Sequence, residues 1–358
     1  MQQCLVPNEP LDQQRKRAAH SQCEIARAAY ENSLQDLEKA MVAVKDALLK
    51  YESVLRETDG AYHAPPVLVQ QPLPGCMGEV ARVQVVQTVK DDTNLVEPWG
   101  VTSISEDVIA VVVEELSCVH LYSFSAKAIV RTLSEGLLFP MSLALVSAEL
   151  LVISDSGNNR LCVWNWRENS CQRSIGLGIG TGPGQFHHPQ GVCAVTTDRI
   201  AVADRDNHRV QVFRWSDGRV LNAFGGEHGK GAGPRQFNSP QELCLLSPDT
   251  LMISDVNNYR IQFVLWESGV FVKFIATVTG VERIPWAPAG IALLDPSHIA
   301  AVSDRTTNAL HFIRVADGET VHTLTGDFDF PAGIAVVGGG KALVVVDRLH
   351  NSWHVLSA

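Results

Sequence analysis

A block of about 42 to 51 residues recurs six times after residue 97, and this repeat constrains the fold more than any other feature. Each copy begins with a proline and a short apolar run. The six prolines are Pro98, Pro140, Pro189, Pro240, Pro288 and Pro331. Further apolar runs separated by polar turns follow, which predicts four short strands per copy. Six such units indicate an all-β, six-bladed β-propeller, because a small sheet with two apolar faces is buried only by stacking against its neighbours.

The two ends of the repeat region complement each other. The last copy supplies only three strands before residue 358, whereas residues 82–89 are strand-like and belong to no copy. Pairing this early strand with the last copy would leave no open sheet edge. The sequence therefore predicts a propeller over residues 80–358 that is closed by strand 82–89.

A polar turn with an aspartate and, five residues later, an arginine follows the second strand of several copies. The clearest pairs are Asp155 with Arg160, Asp204 with Arg209, and Asp255 with Arg260. Asp304 and Asp347 open weaker versions, and Glu114 is assigned to the same place in the first copy. Because one pair recurs in successive copies, a structural role is favoured over a ring of ligand-binding residues.

This turn, together with the loops at residues 182–189 and 233–240, resembles the NHL repeat. The resemblance covers about residues 80–358 and is weaker in the first, fifth and sixth copies. Ala309 and Ser352 stand at the arginine position of the fifth and sixth. A helix ahead of such a propeller is similar to the tripartite-motif NHL proteins. Cys and His pairs with RING or B-box spacing are missing, so the resemblance does not imply ubiquitin-ligase activity.

The segment ahead of the repeats divides into three parts. Residues 1–9 are expected to be disordered, residues 10–58 to form an amphipathic helix, and residues 59–79 to form a Pro-containing linker. Apolar side chains at alternating spacings of four and three form a heptad seam, namely Tyr30, Leu34, Leu37, Met41, Val44, Leu48, Tyr51 and Leu55. This seam predicts a dimeric coiled coil, and the alternative is a helix that packs on the rest of the chain.

Composition limits the class of protein. The net charge is −10, so a basic nucleic-acid-binding body is not indicated. The sequence carries no apolar run long enough to span a membrane and no signal-peptide pattern at its N-terminus. The eight cysteines include no C-x-x-C motif, which favours reduced thiols and a cytoplasmic location.

The sequence offers no recognisable catalytic machinery. It contains no nucleophile motif, no metal-ligand spacing and no phosphate-binding loop. We therefore expect no catalytic residue, no metal and no cofactor. Because NHL-like propellers include a metal-dependent lyase, a lyase-like enzyme is the third alternative.

Binding through one rim of the propeller is the predicted function. Aromatic side chains and arginines that the repeat does not require are candidate contacts there. They are Arg205, His208, Tyr259, Trp286, Arg305, Arg348 and His350. Phe186 and Phe237 recur at equivalent positions and are expected to pack internally. The leading hypothesis is a protein-interaction scaffold, and the alternative is an RNA-binding regulator, as in some NHL relatives. Acidic residues outnumber basic ones in the turns and loops of this rim, which favours a protein partner.

Overall fold

The structure, a computed structural model, describes residues 83–226, 229–276, 286–295, 299–326 and 328–357. The chain divides into two compact units, Met1–Pro65 and Pro66–Ala358. The predicted helix and its heptad seam lie outside the described residues, as does the linker, so these remain predictions. Within the described ranges, no helix is long and apolar enough to cross a membrane.

The second unit contains six four-stranded antiparallel sheets, or blades, and strand β1 (Gln84–Lys90) precedes the first of them. Blade 1 comprises β2 (Pro98–Ser103), β3 (Val108–Val113), β4 (Cys118–Ser123) and β5 (Ala128–Leu133). Blade 2 comprises β6 (Pro140–Leu145), β7 (Leu150–Asp155), β8 (Arg160–Asn165) and β9 (Ser170–Ile175). Blade 3 comprises β10 (Pro189–Ala194), β11 (Arg199–Asp204), β12 (Arg209–Arg214) and β13 (Arg219–Gly225).

The remaining blades follow the same plan. Blade 4 comprises β14 (Pro240–Ser247), β15 (Thr250–Asp255), β16 (Arg260–Leu265) and β17 (Val270–Ile275). Blade 5 comprises β18 (Pro288–Asp295), β19 (Ile299–Asp304), β20 (Ala309–Arg314) and β21 (Thr320–Thr325). Blade 6 comprises β22 (Pro331–Val337), β23 (Ala342–Asp347), β24 (Ser352–Ser357) and the early strand β1. Single 3₁₀ turns lie at Ser156–Asn158, Arg205–Asn207, Val256–Asn258 and Gly338–Gly340.

The first strands of consecutive blades contact one another around a ring, and β22 returns to β2. Closure depends on β1, which pairs antiparallel with β24 from Gln84 opposite Ser357 to Lys90 opposite Ser352. The early strand therefore supplies the edge that blade 6 lacks, and the six-bladed propeller predicted from the sequence is confirmed.

The core is divided into clusters that lie between neighbouring blades. One of them combines Val111 and Val113 of blade 1 with Val344, Val346 and Trp353 of blade 6. Alternate side chains of each strand face the blade on one side or the other. Each blade is therefore buried by its two neighbours.

Strands β10 and β14, the inner strands of blades 3 and 4, approach so closely that only glycine fits between their backbones. A Cβ added at Gly191 would lie 2.3 Å from the carbonyl oxygen of Gln241. The next residue of β14 is Glu242, whose Oε1 lies 3.1 Å from that hypothetical Cβ. Its Oε1 accepts a hydrogen bond from the backbone N–H of Leu243 at 3.1 Å. Burial among these strands raises the pKa of Glu242 to about 7.

The aspartates of the repeat turn are fully buried and bind two parts of the chain at once. Oδ2 of Asp204 accepts a hydrogen bond from Arg209 Nε at 2.7 Å, and Oδ1 accepts one from the backbone N–H of His187 at 2.8 Å. Asp155 and Asp255 make the same pair of bonds, with Arg160 and Arg260 respectively and with the loop ahead of the blade. Each aspartate therefore holds its own turn and the preceding inter-blade loop together.

Blades 5 and 6 use a histidine where the arginine is missing. Nε2 of His311 lies 3.4 Å from Oδ2 of Asp304, and Nε2 of His354 lies 3.2 Å from Oδ2 of Asp347. Both histidines stand seven residues after the aspartate. The polar partner of the buried carboxylate is thus preserved by a different side chain.

In blade 1 the register corrects the sequence interpretation. Val113 pairs with Pro98 as Asp155 pairs with Pro140. Val113 therefore occupies the aspartate place, and the assignment of Glu114 to it is wrong by one residue. Glu114 is equivalent to the residue that follows the aspartate in the other blades.

Replacing Asp204 by Asn tests the buried turn. Asn keeps the shape and an acceptor for the loop N–H but leaves the Arg209 guanidinium, which is 10% exposed, without its carboxylate. We expect the free energy of unfolding to fall by about 3 kcal/mol, as measured by urea unfolding of the full chain.

The matched control is Asp217→Asn, because Asp217 pairs with Arg214 on the surface. Its expected effect is within about 0.5 kcal/mol. Equal effects of the two substitutions would contradict a structural role for Asp204.

The Glu242 carboxyl predicts a pH dependence of stability. Its pKa is raised from the usual 4.5 to about 7 in the folded protein, so the folded state binds this proton more tightly than the unfolded state does. The resulting stabilisation is complete below pH 4.5 and is lost as the pH rises through about 7. Glu242→Gln should therefore gain about 1–3 kcal/mol over the wild type at pH 8 and little at pH 5. Thermal unfolding at both pH values measures this difference, and a gain independent of pH would refute it.

Candidate interaction surface on the propeller rim

The loops between blades and the turns between second and third strands lie at the same edge of the ring. In blade 3, Pro189 pairs with Asp204, Asp204 with Arg209 and Arg209 with Gly225. The turn between the second and third strands therefore lies at the same edge as the loops that join consecutive blades. We call this edge the rim.

Most positions of the rim turn have a fixed structural task. The third residue after the aspartate is Asn158, Asn207 or Asn258 in blades 2 to 4, and its Nδ2 donates to the aspartate at 2.8–2.9 Å. In blade 6 this residue is His350, whose Nδ1 lies 2.9 Å from Oδ2 of Asp347. His350, predicted as a partner contact, thus fills the place of the repeat's asparagine.

The fourth residue after the aspartate has a left-handed backbone and ties down the next loop. Asn159, His208 and Tyr259 have φ values of 51°, 54° and 55°. Oδ1 of Asn159 accepts the backbone N–H of His188 at 2.9 Å, and Nδ1 of His208 accepts that of Ser239 at 3.1 Å. His208, which was predicted as a partner contact, therefore makes the same structural contact as Asn159. Tyr259 occupies the same turn position but keeps 46% of its surface exposed.

The structure corrects the expectation for Trp286. Its side chain is 2% exposed and packs with Phe263 and Ile291 in the cluster between blades 4 and 5. A side chain enclosed in this way offers no surface to a partner. Phe186 and Phe237 are completely buried, which confirms their predicted packing role.

The first residue after the aspartate changes from blade to blade, and it is an arginine in three of the six blades. It is Glu114, Ser156, Arg205, Val256, Arg305 and Arg348 in blades 1 to 6. Ser156 and Val256 are buried. We call Arg205, Arg305 and Arg348 the arginine cluster. All three are among the candidate contacts predicted from the sequence, and each directly follows a repeat aspartate.

Arg348 is held by two carboxylates and two aromatic rings. It forms ion pairs with Glu97 and with Glu114, the second at 3.1 Å. Its guanidinium carbon lies 4.5 Å from the ring centre of Trp99 and 5.4 Å from that of Phe330. Its Nε is buried and finds no acceptor among the described residues.

Arg305 contacts the same Phe330 ring as Arg348 but forms no ion pair with a carboxylate among the described residues. Its guanidinium carbon lies 5.1 Å from the ring centre of Phe330. Within the described ranges its side chain makes no hydrogen bond or ion pair. Burial, with the nearby charges of Arg205 and Arg348, lowers its pKa from the usual 12.5 to about 10. Arg305 and Arg348 thus meet at Phe330, and Arg205 is close enough to affect the charge of Arg305.

Arg205 is the most accessible member of the cluster. Its Nη1 donates to Oδ1 of Asp206 at 3.1 Å, and its side chain is 37% exposed. Asp206 also lies 3.9 Å from His187 and from His188. The site therefore alternates positive and negative groups and is not a continuous basic surface.

Trp99, Phe330 and Glu97 belong to this site but were not predicted for it. The available signal was local, since Trp99 follows Pro98, Phe330 precedes Pro331 and Glu97 precedes Pro98. These residues flank the prolines that start the inner strands of blades 1 and 6. Their meeting with Arg348 depends on ring closure, which brings two distant parts of the sequence together.

The rim offers charged and aromatic contacts but no assembled metal-binding group. Among the residues that the structure describes, no three His, Cys, Asp or Glu side chains come together in a way that could hold a metal ion. The lyase-like alternative therefore gains no ligand set from this part of the chain.

Comparison with known families agrees with the repeat analysis. The model of the NHL repeat matches residues 186–213. This range runs from the end of an inter-blade loop through β10, β11 and the Asp204 turn to β12. A search of curated proteins gives no match to the chain. The described part of the chain is therefore a six-bladed β-propeller that contains an NHL repeat.

Proposed function

We propose that the chain is a non-enzymatic interaction protein whose propeller rim binds a partner protein. The observation that carries the proposal is the arginine cluster. These arginines occupy a variable position of the repeat turn, and two of them, Arg305 and Arg348, lie over the same ring of Phe330. Arginine and aromatic side chains that are partly enclosed are typical of the energetic centre of a protein interface.

Exposed apolar side chains on the same rim support a protein partner. Leu116, Phe139, Tyr259 and Leu349 lie in turns or inter-blade loops and are 42–53% exposed. An interface of this composition has a charged centre with apolar contacts around it.

The charge pattern argues against RNA as the ligand. Phosphates of single-stranded RNA require a basic groove that follows the backbone. Here Glu97, Glu114 and Asp206 lie among the arginines and already pair with two of them. These carboxylates would repel a polyanion, whereas a protein of mixed charge can place basic groups opposite them.

Dimerisation through residues 10–58 belongs to the same proposal. Two propellers joined by a coiled coil would bind a partner with two sites more tightly than one propeller does. A cytoplasmic setting is supported by Cys118, Cys162, Cys171, Cys193 and Cys244, which are free thiols.

Substituting rim side chains should weaken partner capture. We expect Tyr259→Ser with Leu349→Ser in the full chain to reduce nuclease-resistant capture of proteins from a reduced lysate by at least about fivefold, because these side chains are exposed on the rim. Quantitative mass spectrometry of the bound proteins measures this effect.

The matched control carries Val270→Ser and Val272→Ser on β17. These side chains are each 49% exposed but lie on the fourth strand of blade 4. The control should capture as the wild type does. Release of the bound material by nuclease would favour the RNA alternative. An equal loss of capture in both variants would show that the rim is not the binding surface.

The heptad seam predicts the oligomeric state. Replacing Leu34, Met41 and Leu48 by Ser removes three apolar side chains from the seam, so a dimer of the 39.0 kDa chain should become a monomer. Light scattering coupled to gel filtration measures both masses. A wild type that is already monomeric would favour the alternative in which the helix packs on the chain itself.

A further inference from the structure

We propose that the arginine cluster is a binding site for a single carboxylate of the partner, supplied by an acidic side chain or a C-terminus and received by Arg305 with Arg205. This inference rests on the proposed function, because it names the group that the rim recognises. It assigns separate roles to the three arginines.

The first step is the balance of charge within the cluster. Arg348 has Glu97 and Glu114, and Arg205 has Asp206. Arg305 forms no ion pair among the described residues, although it is partly buried against Phe330, a ring that it shares with Arg348. A partly buried charge without a counter-charge is costly unless a ligand supplies one. Arg305 is therefore the arginine of the cluster that a carboxylate from a ligand could pair with.

The second step is the orientation of the available donors. The Arg305 guanidinium carbon lies 5.1 Å from the ring centre of Phe330, and a phenyl ring accepts none of the conventional hydrogen bonds that the guanidinium N–H groups can donate. A guanidinium edge matches a carboxylate, which can accept two parallel hydrogen bonds from it. The buried Nε of Arg348 is a further donor without an acceptor in the described part of the chain.

The third step distinguishes a carboxylate from a phosphate. The site already contains Glu97, Glu114 and Asp206, and burial raises the pKa of Glu114. Glu114 is therefore in a poorly hydrated environment that contains both positive and negative groups. A carboxylate brings one negative charge, which Arg305 can pair with, whereas a phosphate dianion or an RNA backbone brings more negative charge than this one arginine offsets.

The experiment selects ligands with the full chain from a displayed library of short random peptides. We expect the selected peptides to share an Asp, a Glu or a free C-terminal carboxylate at one fixed position. Replacing that group by its amide should weaken binding at least about tenfold, and Arg305→Gln should weaken binding of the parent peptide equally. Combining both changes should cause no further loss, because each removes the same contact.

Two other variants keep the test decisive. Arg205→Gln should weaken binding of the carboxylate peptide even if Arg305→Gln disturbs folding, since Arg205 is the more accessible partner. Arg235→Gln removes one positive charge from an exposed residue of the loop between β13 and β14 and should leave affinity unchanged. Circular dichroism of each variant confirms that the fold is retained.

The outcomes separate this inference from the proposed function. Selected peptides that share no carboxylate, or whose carboxylate is not coupled to Arg305 or Arg205, would overturn the inference and leave the rim as a protein-binding surface. Failure to select any peptide would overturn both. Oligouridylate that binds more tightly than the peptides, and that no longer binds Arg305→Gln, would also overturn the inference. The ligand group would then be an RNA phosphate and not a carboxylate.

Discussion

The buried aspartate at the end of the second strand is the contact on which the rest of the rim depends. It has no exposed surface, and its two oxygens bind the turn that follows it and the loop that precedes its blade. A carboxylate in this environment must be fully hydrogen-bonded, so the backbone around it has little freedom. That restriction fixes the direction in which the next residue projects. The site therefore exists because a structural residue positions a variable one.

Once the structural tasks of the turn are assigned, few residues remain for recognition. The third turn residue binds the aspartate, and the fourth binds the following loop in blades 2, 3, 5 and 6. His208 and His350 looked available in the sequence because they differ from the asparagines of other copies, yet each makes the corresponding contact. A departure from a repeat consensus is thus a weak sign of function unless the new side chain cannot perform the old task.

The sequence predicted the blade count, the closing strand and the recurrent Asp–Arg pair because these features are periodic or local. It misplaced Glu114 by one residue, since an acidic side chain next to a strand resembles the aspartate and only strand pairing shows that Val113 opposes Pro98. It missed His311 and His354, which contact the buried carboxylate from the strand position that Gln211 and Gln262 occupy in blades 3 and 4. The meeting of Trp99 with Arg348 could not be predicted, because it joins the first blade to the last.

The two ends of the β1–β24 pair differ in how strongly they resist separation by force. Gln84 lies opposite Ser357, so a force that separates these two residues would break the β1–β24 pairing one residue pair at a time, starting at this end. The opposite end, where Lys90 faces Ser352, would yield last. That end is also reinforced, because Asn351 accepts the backbone N–H of Glu97 and Arg348 forms an ion pair with the same glutamate. Tension transmitted from the residues before β1 would therefore loosen the edge away from the rim while the surface around Arg348 keeps its shape.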